Sequence, residues 1–344
     1  MYNIYYQDKF VFSIDNGLVN IISPKYMPFD IYLEENDDID TRVNNQTNFN
    51  AWCAGRILPL DREYAKEILN YFGYNQSLTD KERAKIAIAT RCLSINDCFW
   101  LKSESEELTW KDVNLFENSL QDGIFETALT GKSITVTNKE LVTPDISTDG
   151  VAPKAWLRKN NEFYLLKGDK NDSVVKETEA SQILFDLGFK NAGYKISDFK
   201  GSPVSTTECF TNQSVNFVKA EWFNIWCMNN YCSIKDFIDE DEFDKMNLAD
   251  YLIGNNDEHS YNWGFLYDNE MNILSLNPMM DFDHAFESTD ESPCLPEKLL
   301  GNNITQKNNA INIVRRHPDW IKKDVDLSKY KYGEYVSQRL NLLL

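Results

Sequence analysis

Glycine, proline, cysteine, histidine and long apolar runs are all scarce in this 344-residue chain, and each shortage excludes a class of protein. With 14 glycines and 10 prolines, the chain is neither a low-complexity nor a collagen-like sequence. Seven scattered cysteines include no Cys-x-x-Cys pair and are accompanied by three histidines, so neither a disulfide framework nor a zinc site is indicated. No segment approaches the roughly 18 apolar residues of a membrane span, and residues 1–12 lack the pattern of a signal peptide. We therefore expect a globular, cytoplasmic protein that does not associate with a membrane.

Positive charge is also in short supply, because 35 lysines and arginines face 54 aspartates and glutamates, for a net charge of −19. Binding DNA or RNA through phosphates requires a concentrated basic surface, so we expect no direct nucleic-acid binding. Hydrophobic residues make up 42% of the chain and aromatic residues 13%, which is enough to bury a large core in two or three structural units.

The first 145 residues read as an α+β unit of their own. Residues 3–14 and 17–22 predict two arms of a hairpin around an Asn-Gly turn. Further along, Thr79 and Glu82 have the spacing of a capping box that opens a helix. The strand predicted at residues 98–102 completes a mixture of sheet and helix in this part of the chain.

The most informative stretch follows a predicted helix over residues 239–252, which Gly254 ends. Asp257 stands in the loop after this helix, Asn262 follows five positions later, and Asp281 comes at the end of the next predicted hairpin. An aspartate, an asparagine and a second aspartate in this order are what phosphoryl transfer from Mg-ATP requires. The pattern therefore predicts a kinase-type catalytic site.

Each residue of this stretch has a predicted role. Asp257 is the expected base, and Asn262 is spaced to turn its amide oxygen toward a Mg²⁺ ion. Asp281 is the expected metal ligand, because magnesium favours one or two carboxylates together with phosphate oxygens. Asp283 is the alternative, since a strand would place both aspartates on one face. His259 is either a hydrogen-bonded loop histidine or a residue close to the nucleotide.

Upstream, a second group of residues suits the phosphates of ATP. A turn-rich loop over residues 147–154 precedes two predicted strands, and Lys167 ends the second of them. Such a loop can close over phosphates, and the lysine can direct a fixed positive charge toward them. In the helix predicted at residues 174–187, either Glu177 or Glu179 could pair with that lysine. Solvated side chains and favourable helix-dipole contacts are the structural alternatives.

Together these motifs resemble the HipA-like serine/threonine kinases of bacterial toxin–antitoxin and effector systems, over roughly residues 146–300. The resemblance rests on Gly150-Val-Ala-Pro-Lys154, Lys167, the stretch Leu252-Ile-Gly-Asn-Asn-Asp257-Glu-His259-Ser-Tyr-Asn262, and Asn277-Pro-Met-Met-Asp281. It implies that Asp257 is catalytic, that Asn262 and Asp281 bind magnesium, and that Lys167 binds ATP phosphates.

The same resemblance assigns the remaining nucleotide contacts. It places Gly150 and Lys154 in the phosphate loop and favours Glu177 over Glu179 as the helix glutamate. Glu208 and Phe210 resemble the hinge residues whose backbone meets adenine. It also implies autophosphorylation at Ser147 that shuts the enzyme off. Asp149 departs from the family loop, which usually has a small residue there, and its charge beside phosphates opposes closure of the loop on ATP.

The resulting expectation is an α+β, bilobal kinase-like fold with an accessory domain at residues 1–145, an N-lobe at 146–222 and a mostly helical C-lobe at 223–344. The expected activity is ATP- and Mg²⁺-dependent phosphorylation of a serine or threonine in a protein substrate. A lipid or small-molecule kinase of this fold and a nucleotide-binding pseudokinase are the alternatives. The expected partner is a small basic DNA-binding antitoxin, whose charge would complement the −19 of this chain.

Overall fold

The computed structural model describes residues 1–60, 62–71, 79–118, 128–129, 145, 152–160 and 162–343. They form two compact units. The first comprises Met1–Gly168, Thr211–Phe217 and Tyr267–Asn272, and the second comprises Asp169–Phe210, Val218–Leu266 and Ile273–Leu344. The loop residues Ser147, Asp149 and Gly150 lie outside the described residues, and the domain boundaries at residues 145 and 222 stay predictions.

An antiparallel four-stranded sheet opens the first unit, in the order β3-β2-β1-β4. Its strands are β1 (Tyr2–Tyr6), β2 (Lys9–Asp15), β3 (Leu18–Ile21) and β4 (Phe99–Ser103). The predicted single arm over residues 3–14 is wrong, because the chain turns back at Gln7, whose φ is 51°. The turn contains neither glycine nor proline, and the polar residues Gln7, Asp8 and Lys9 are the one interruption of the apolar pattern. The Asn-Gly turn between β2 and β3 is present as predicted, with positive φ at Asn16 and Gly17.

Helices and a second hairpin complete the first unit. The helices are α1 (Ile39–Gly55), α2 (Ala65–Tyr71), α3 (Asp80–Ala89) and α4 (Trp110–Val113), with a 3₁₀ turn at Pro24–Tyr26. The capping box at the start of α3 is confirmed, since Thr79 and Glu82 each accept a hydrogen bond from the other's backbone N–H. Strands β5 (Lys154–Lys159) and β6 (Glu162–Gly168) form the antiparallel hairpin that carries the predicted lysines.

The second unit is mostly helical. Its helices are α5 (Ser173–Leu187), α6 (Ala220–Asn229), α7 (Glu240–Ile253), α8 (Leu295–Leu299), α9 (Gln306–Arg316) and α10 (Gly333–Asn341), with 3₁₀ turns at Ile234–Phe237 and Leu327–Lys329. Its hairpin consists of β7 (Lys195–Phe199) and β8 (Ser202–Glu208). Strands β9 (Val215–Lys219) and β10 (Gly264–Asp268) contain residues of both units, and β11 (Ile273–Leu276) is a neighbour of β10.

One apolar core holds four helices of the second unit together. It includes Leu184 of α5, Leu252 of α7, Ile313 of α9 and Val336 of α10, all without solvent exposure. The helices predicted at residues 174–187 and 239–252 are therefore present to within one residue at either end. Within the described part of the chain, no helix combines the length and apolarity needed to cross a membrane.

Candidate active site

Helix α7 places the predicted catalytic loop at a defined point. The Asp239 carboxylate accepts a hydrogen bond from the Glu242 N–H (2.9 Å) and starts the helix, and Gly254 ends it with φ of 61°. A Cβ atom at Gly254 would lie 2.0 Å from the Tyr335 hydroxyl, so the position accepts no side chain without displacing that tyrosine. The loop therefore begins where the helix cap and the packing both require glycine.

The backbone at the start of the loop is anchored by a second segment of the same unit. The N–H of Phe286 donates to the carbonyl of Ile253 (2.7 Å), and the N–H groups of Glu287 and Ser288 donate to the carbonyl of Gly254 (3.1 and 3.0 Å). These three bonds join the end of α7 to the chain just beyond Asp281 and Asp283. The two parts of the predicted site are thereby connected through main-chain hydrogen bonds.

Asp257 presents its carboxylate to solvent on a restrained backbone. Its side chain is 44% exposed, and the nearest nitrogen of His259 lies 3.9 Å from Oδ2. Its backbone oxygen accepts from the Asn262 side-chain nitrogen (2.7 Å) and from the N–H of His259 (2.7 Å). The bond to Asn262 orients that amide, so its Oδ1 is the atom that this contact leaves for another ligand. The five-residue spacing thus brings Asp257 and Asn262 together.

Asp281 and Asp283 are not arranged as residues of a strand. Strand β11 ends at Leu276, Asp281 has a left-handed φ of 64°, and Asp283 begins a turn. The premise that a strand places both on one face is therefore wrong, and Phe282 between them is buried in the core. The N–H of Asp281 donates to the hydroxyl of Tyr194 (3.2 Å), which holds its backbone.

Two carboxyl groups close to the predicted site are buried, that of Asp250 near the end of α7 and that of Glu258 in the loop. The sequence pattern indicated a role for neither of them. Burial raises the pKa of Asp250 from 3.8 to about 8, and the hydrogen bond from Asn255 opposes this only in part. Burial also raises the pKa of Glu258 well above its usual range, with further contributions from the charges of Asp250 and Asp281. The charge of Asp257 acts on Glu258 in the same direction. Asp257 and Asp281 therefore both lie within electrostatic range of one buried acid.

A charged cluster lies next to this region. The ammonium of Lys176 pairs with Glu287, whose other oxygen lies 3.0 Å from Nδ1 of His284. Burial alone would lower the pKa of His284, but the bond to Glu287 and the charges of Asp283 and Asp257 raise it overall. The His284 ring thus lies in the field of two predicted site aspartates, although the sequence reading assigned it no role.

The hairpin in the first unit carries two buried lysines. Lys154 and Lys167 are 7% and 6% exposed, and the β5–β6 register sets them opposite each other, so their side chains leave one face. The expectation that Lys167 is a solvated strand end is therefore wrong. Arg62, also buried, donates to the carbonyls of Asp145 (3.1 Å) and Lys154, which braces the start of β5. The hairpin therefore places two buried lysine side chains on the same face.

Glu177 and Glu179 have different surroundings in the second unit. Glu177 is 1% exposed and accepts a hydrogen bond from the Ser205 hydroxyl on β8 (2.5 Å). Glu179 is partly exposed and accepts from the backbone N–H groups of Lys331 and Tyr332 (3.1 Å each), which tie down the chain before α10. Glu179 is thus engaged in a structural contact, and Glu177 is the glutamate on the buried side of α5.

The predicted hinge residues follow directly from β8. Glu208 is its last residue and is exposed, and Phe210 is half-buried two positions later. The assignment of Glu208 and Phe210 as hinge residues stays a prediction.

The donor atoms in the second unit fit a magnesium ion better than a protein-only metal cage. Asn262 offers an amide oxygen and Asp281 a carboxylate, both of which are ligand types that Mg²⁺ accepts. Among the residues that the structure describes, no group of three or more histidine, cysteine, aspartate or glutamate side chains could hold a metal ion. A site completed by phosphate oxygens is consistent with that ligand set.

Comparison with known proteins finds similarity to a serine/threonine kinase. No protein-family model matches the chain. The chain is 26% identical over 217 residues to the serine/threonine-protein kinase CtkA of Helicobacter pylori, a match that covers 55% of this chain and 65% of that protein. The chain thus spans about two-thirds of the length of this relative.

Two solved structures are also similar. The crystal structure of the proinflammatory kinase CtkA of Helicobacter pylori matches with 20% identity and a TM-score of 0.40, over 55% of this chain and 88% of that one. HipA from Shewanella oneidensis, in its complex with HipB and operator DNA, matches with 14% identity and a TM-score of 0.53, over 100% of this chain and 96% of that one. The HipA match and the kinase relative confirm the predicted resemblance to HipA-like kinases and the α+β kinase-like fold.

Proposed function

We propose that this chain is a kinase that uses Mg-ATP and transfers the γ-phosphoryl group to a serine or threonine hydroxyl of a protein substrate. The observation that carries the proposal is the geometry of the loop after α7. The exposed carboxylate of Asp257 is carried by a backbone that is hydrogen-bonded to Asn262. The charges of Asp257 and Asp281 both raise the pKa of the buried Glu258, so both lie near it. The kinase relative supports serine or threonine as the acceptor.

Asp257 is the proposed base. It would orient the attacking hydroxyl and accept its proton, a role that requires no strong base because phosphoryl transfer passes through a loose transition state. Two donors engage its backbone oxygen, so the main chain that carries the carboxylate is held in place. The loop therefore supplies orientation, which is the main contribution that this chemistry demands of a protein.

Asn262 and Asp281 are the proposed ligands of Mg²⁺, with Asp283 as the alternative to Asp281. These two side chains would hold the ion, which when bound would supply positive charge that stabilises the phosphates during transfer. The bond from Asn262 to the Asp257 carbonyl orients the amide, and the Tyr194 hydroxyl restrains the backbone at Asp281. Both ligands are thus held by contacts that do not depend on the ion.

The nucleotide contacts proposed for the rest of the chain follow the resemblance. Lys167 would bind phosphates and Glu177 is proposed as the helix glutamate, and both side chains are buried. Backbone groups at the end of β8 would meet adenine. The full proposed set is Gly150, Lys154, Lys167, Glu177, Glu208, Phe210 and His259.

The decisive experiment incubates purified protein with labelled ATP and Mg²⁺. We expect wild type to incorporate label or to transfer it to protein, and we expect D257A and D281A to lose about 100-fold or more of that rate. D241A is the matched control, because Asp241 is an exposed aspartate in the first turn of α7. D283A tests the alternative ligand, since a larger loss there than in D281A would reassign the metal.

The outcomes also separate the alternatives. Wild type that neither binds nor hydrolyses ATP would refute the proposal. Transfer to a lipid or small molecule alone would identify a kinase of another substrate class, and ATP binding without transfer would identify a pseudokinase. Intact mass after expression tests autophosphorylation at Ser147, and an unmodified Ser147 in active enzyme would contradict it.

A small basic DNA-binding protein is the proposed partner. The support comes from HipA, whose solved structure contains HipB and operator DNA, and from the net charge of −19 on this chain. We expect a basic antitoxin to co-purify with this chain and to dissociate as salt rises. Co-expression with the product of a neighbouring gene of that kind tests this, and separate elution at about 0.1 M salt would contradict it.

A further inference from the structure

Asn255 is a loop residue with no solvent exposure, whereas its neighbour Asn256 is exposed. Its backbone N–H donates to the carbonyl of Asp250 (2.9 Å), and its own carbonyl accepts from the side-chain nitrogen of Gln306. A buried polar residue in a loop is costly unless its groups are paired, and here both main-chain groups are paired.

The side chain of Asn255 makes contacts in two directions. Its Nδ2 donates to Oδ1 of Asp250 (3.1 Å) and to Oε2 of Glu258 (3.1 Å). Its Oδ1 accepts from the backbone N–H of Asp257 (3.3 Å). One amide thus bridges two buried carboxyl groups and the main chain of the proposed base.

An amide is the chemical group that this position requires. Two acceptors on one side need two N–H donors, and a backbone N–H on the other side needs an oxygen, and the carboxamide supplies all three. A carboxylate at position 255 would supply no N–H donor and would place a third acidic group beside two buried ones. An aliphatic side chain would leave buried polar atoms without partners, which is also costly.

We propose that Asn255 is a positioning residue that holds the main chain of Asp257 in register with the buried carboxyl groups of Asp250 and Glu258. The inference rests on the proposed kinase function, because it concerns the orientation of the base. Asn255 makes no contact with substrate in this role. It acts by holding the main chain from which the Asp257 side chain projects.

The test compares four variants with wild type: N255D, N255A, E258Q and the double variant N255D/E258Q. N256D is the matched control, because it adds the same charge at the adjacent, exposed position. We expect N255D and N255A to lower kcat by about 10- to 100-fold while KM for ATP changes less than about twofold, since misplacing a reacting group by about 1 Å costs on this order. E258Q keeps an acceptor for Asn255, and we expect its kcat to stay within about threefold of wild type.

The double variant exchanges donor and acceptor. The amide introduced at position 258 can donate to the carboxylate introduced at position 255, so we expect kcat to recover at least about tenfold relative to N255D. Thermal unfolding and ATP binding, followed by fluorescence, report folding and the nucleotide site independently of turnover. We expect all soluble variants to bind ATP with affinity close to that of wild type.

Each result either supports or overturns the inference. If N255A, or N255D where it folds, keeps kcat within about twofold of wild type, Asn255 does not position the base. An equal loss in N256D would show that added charge alone is responsible. If the double variant folds but its kcat is no higher than that of N255D, the hydrogen bond between positions 255 and 258 does not position the base. Wild type without phosphoryl transfer would instead refute the proposed function, so the two failures are distinguishable.

Discussion

Individual carboxyl groups of this chain differ mainly in how deeply they are buried. Glu179 and Glu177 are two residues apart, yet one ties down the chain before α10 from a partly exposed position and the other bonds Ser205 out of contact with water. Asp257 and Glu258 are adjacent, yet the first is half-exposed and the second is buried. Burial in a low-dielectric interior favours the neutral acid, so neighbours in sequence acquire different chemistry.

Asp250 gives the chain a measurable dependence of stability on pH. The pKa of its carboxyl is about 8 in the folded protein and 3.8 in a model compound. Between about pH 4 and pH 8 the folded state keeps a proton that the unfolded state releases, so stability falls as pH rises through this window. We expect the decrease in the free energy of unfolding over this pH window to be smaller in D250N than in wild type, by on the order of 2 kcal/mol.

Urea unfolding of wild type and D250N at pH 5, 6, 7 and 8 measures this effect. D241N is the control, because Asp241 is exposed on the same helix. A free energy of unfolding that declines equally with pH in wild type and D250N would contradict the prediction.

A buried ion pair in the first unit contributes to stability in a way that can be measured. Arg56 binds Asp97 through two bonds (2.9 and 2.6 Å), and both residues are less than 10% exposed. Removing one partner leaves a buried charge uncompensated, so we expect R56M to lose about 3–5 kcal/mol of the free energy of unfolding. R42M, at the solvent-exposed pair with Asp37, is expected to lose less than about 1 kcal/mol. Equal losses in the two variants, measured in urea, would show that the Arg56 pair is not desolvated.

At the scale of elements, helix ends determine where the proposed catalytic residues stand. Asp239 starts α7 and Gly254 ends it, so the loop begins three residues before Asp257. Gly188 ends α5 in the same left-handed conformation. These ends depend on hydrogen bonds within one helical turn, which explains why the sequence pattern predicts them well.

Gly254 provides a test of this element. G254A would force a side chain into left-handed backbone and into the Tyr335 ring, so we expect a loss of about 3 kcal/mol or more of stability. G201A is the matched control, because Gly201 has φ of 84° and open space around its Cβ position, and we expect a cost of about 1 kcal/mol. Urea unfolding of both variants measures the difference. Equal costs would mean that Tyr335 moves aside freely.

For the whole molecule, the net charge of −19 governs which partners the chain can meet. Repulsion from phosphates opposes binding to nucleic acid, and attraction favours a basic protein. We expect the isolated chain to leave the fluorescence anisotropy of labelled duplex DNA unchanged at about 0.1 M salt. Salt-dependent binding of DNA by the chain alone would contradict this and would reveal a local basic surface.

The sequence by itself determined the chemistry and its order along the chain. The identities and spacing of Asp257, Asn262 and Asp281 predicted the kinase-like resemblance, and local capping signals predicted α5 and α7 to within a residue. It did not reveal the turn at Gln7, because no special residue type marks that positive φ. The sequence pattern also did not indicate the left-handed backbone at Asp281, which places Asp281 outside a strand.

Only the tertiary structure decided which polar groups are buried and what they contact. Asn255 and Gln306 meet across about 50 positions of sequence, and Glu177 meets Ser205 across about 30. Burial arises from segments that are distant in the chain, and no local pattern contains that information. The sequence therefore predicted which residues could carry the chemistry, and the folded chain decided their exposure, pKa and partners.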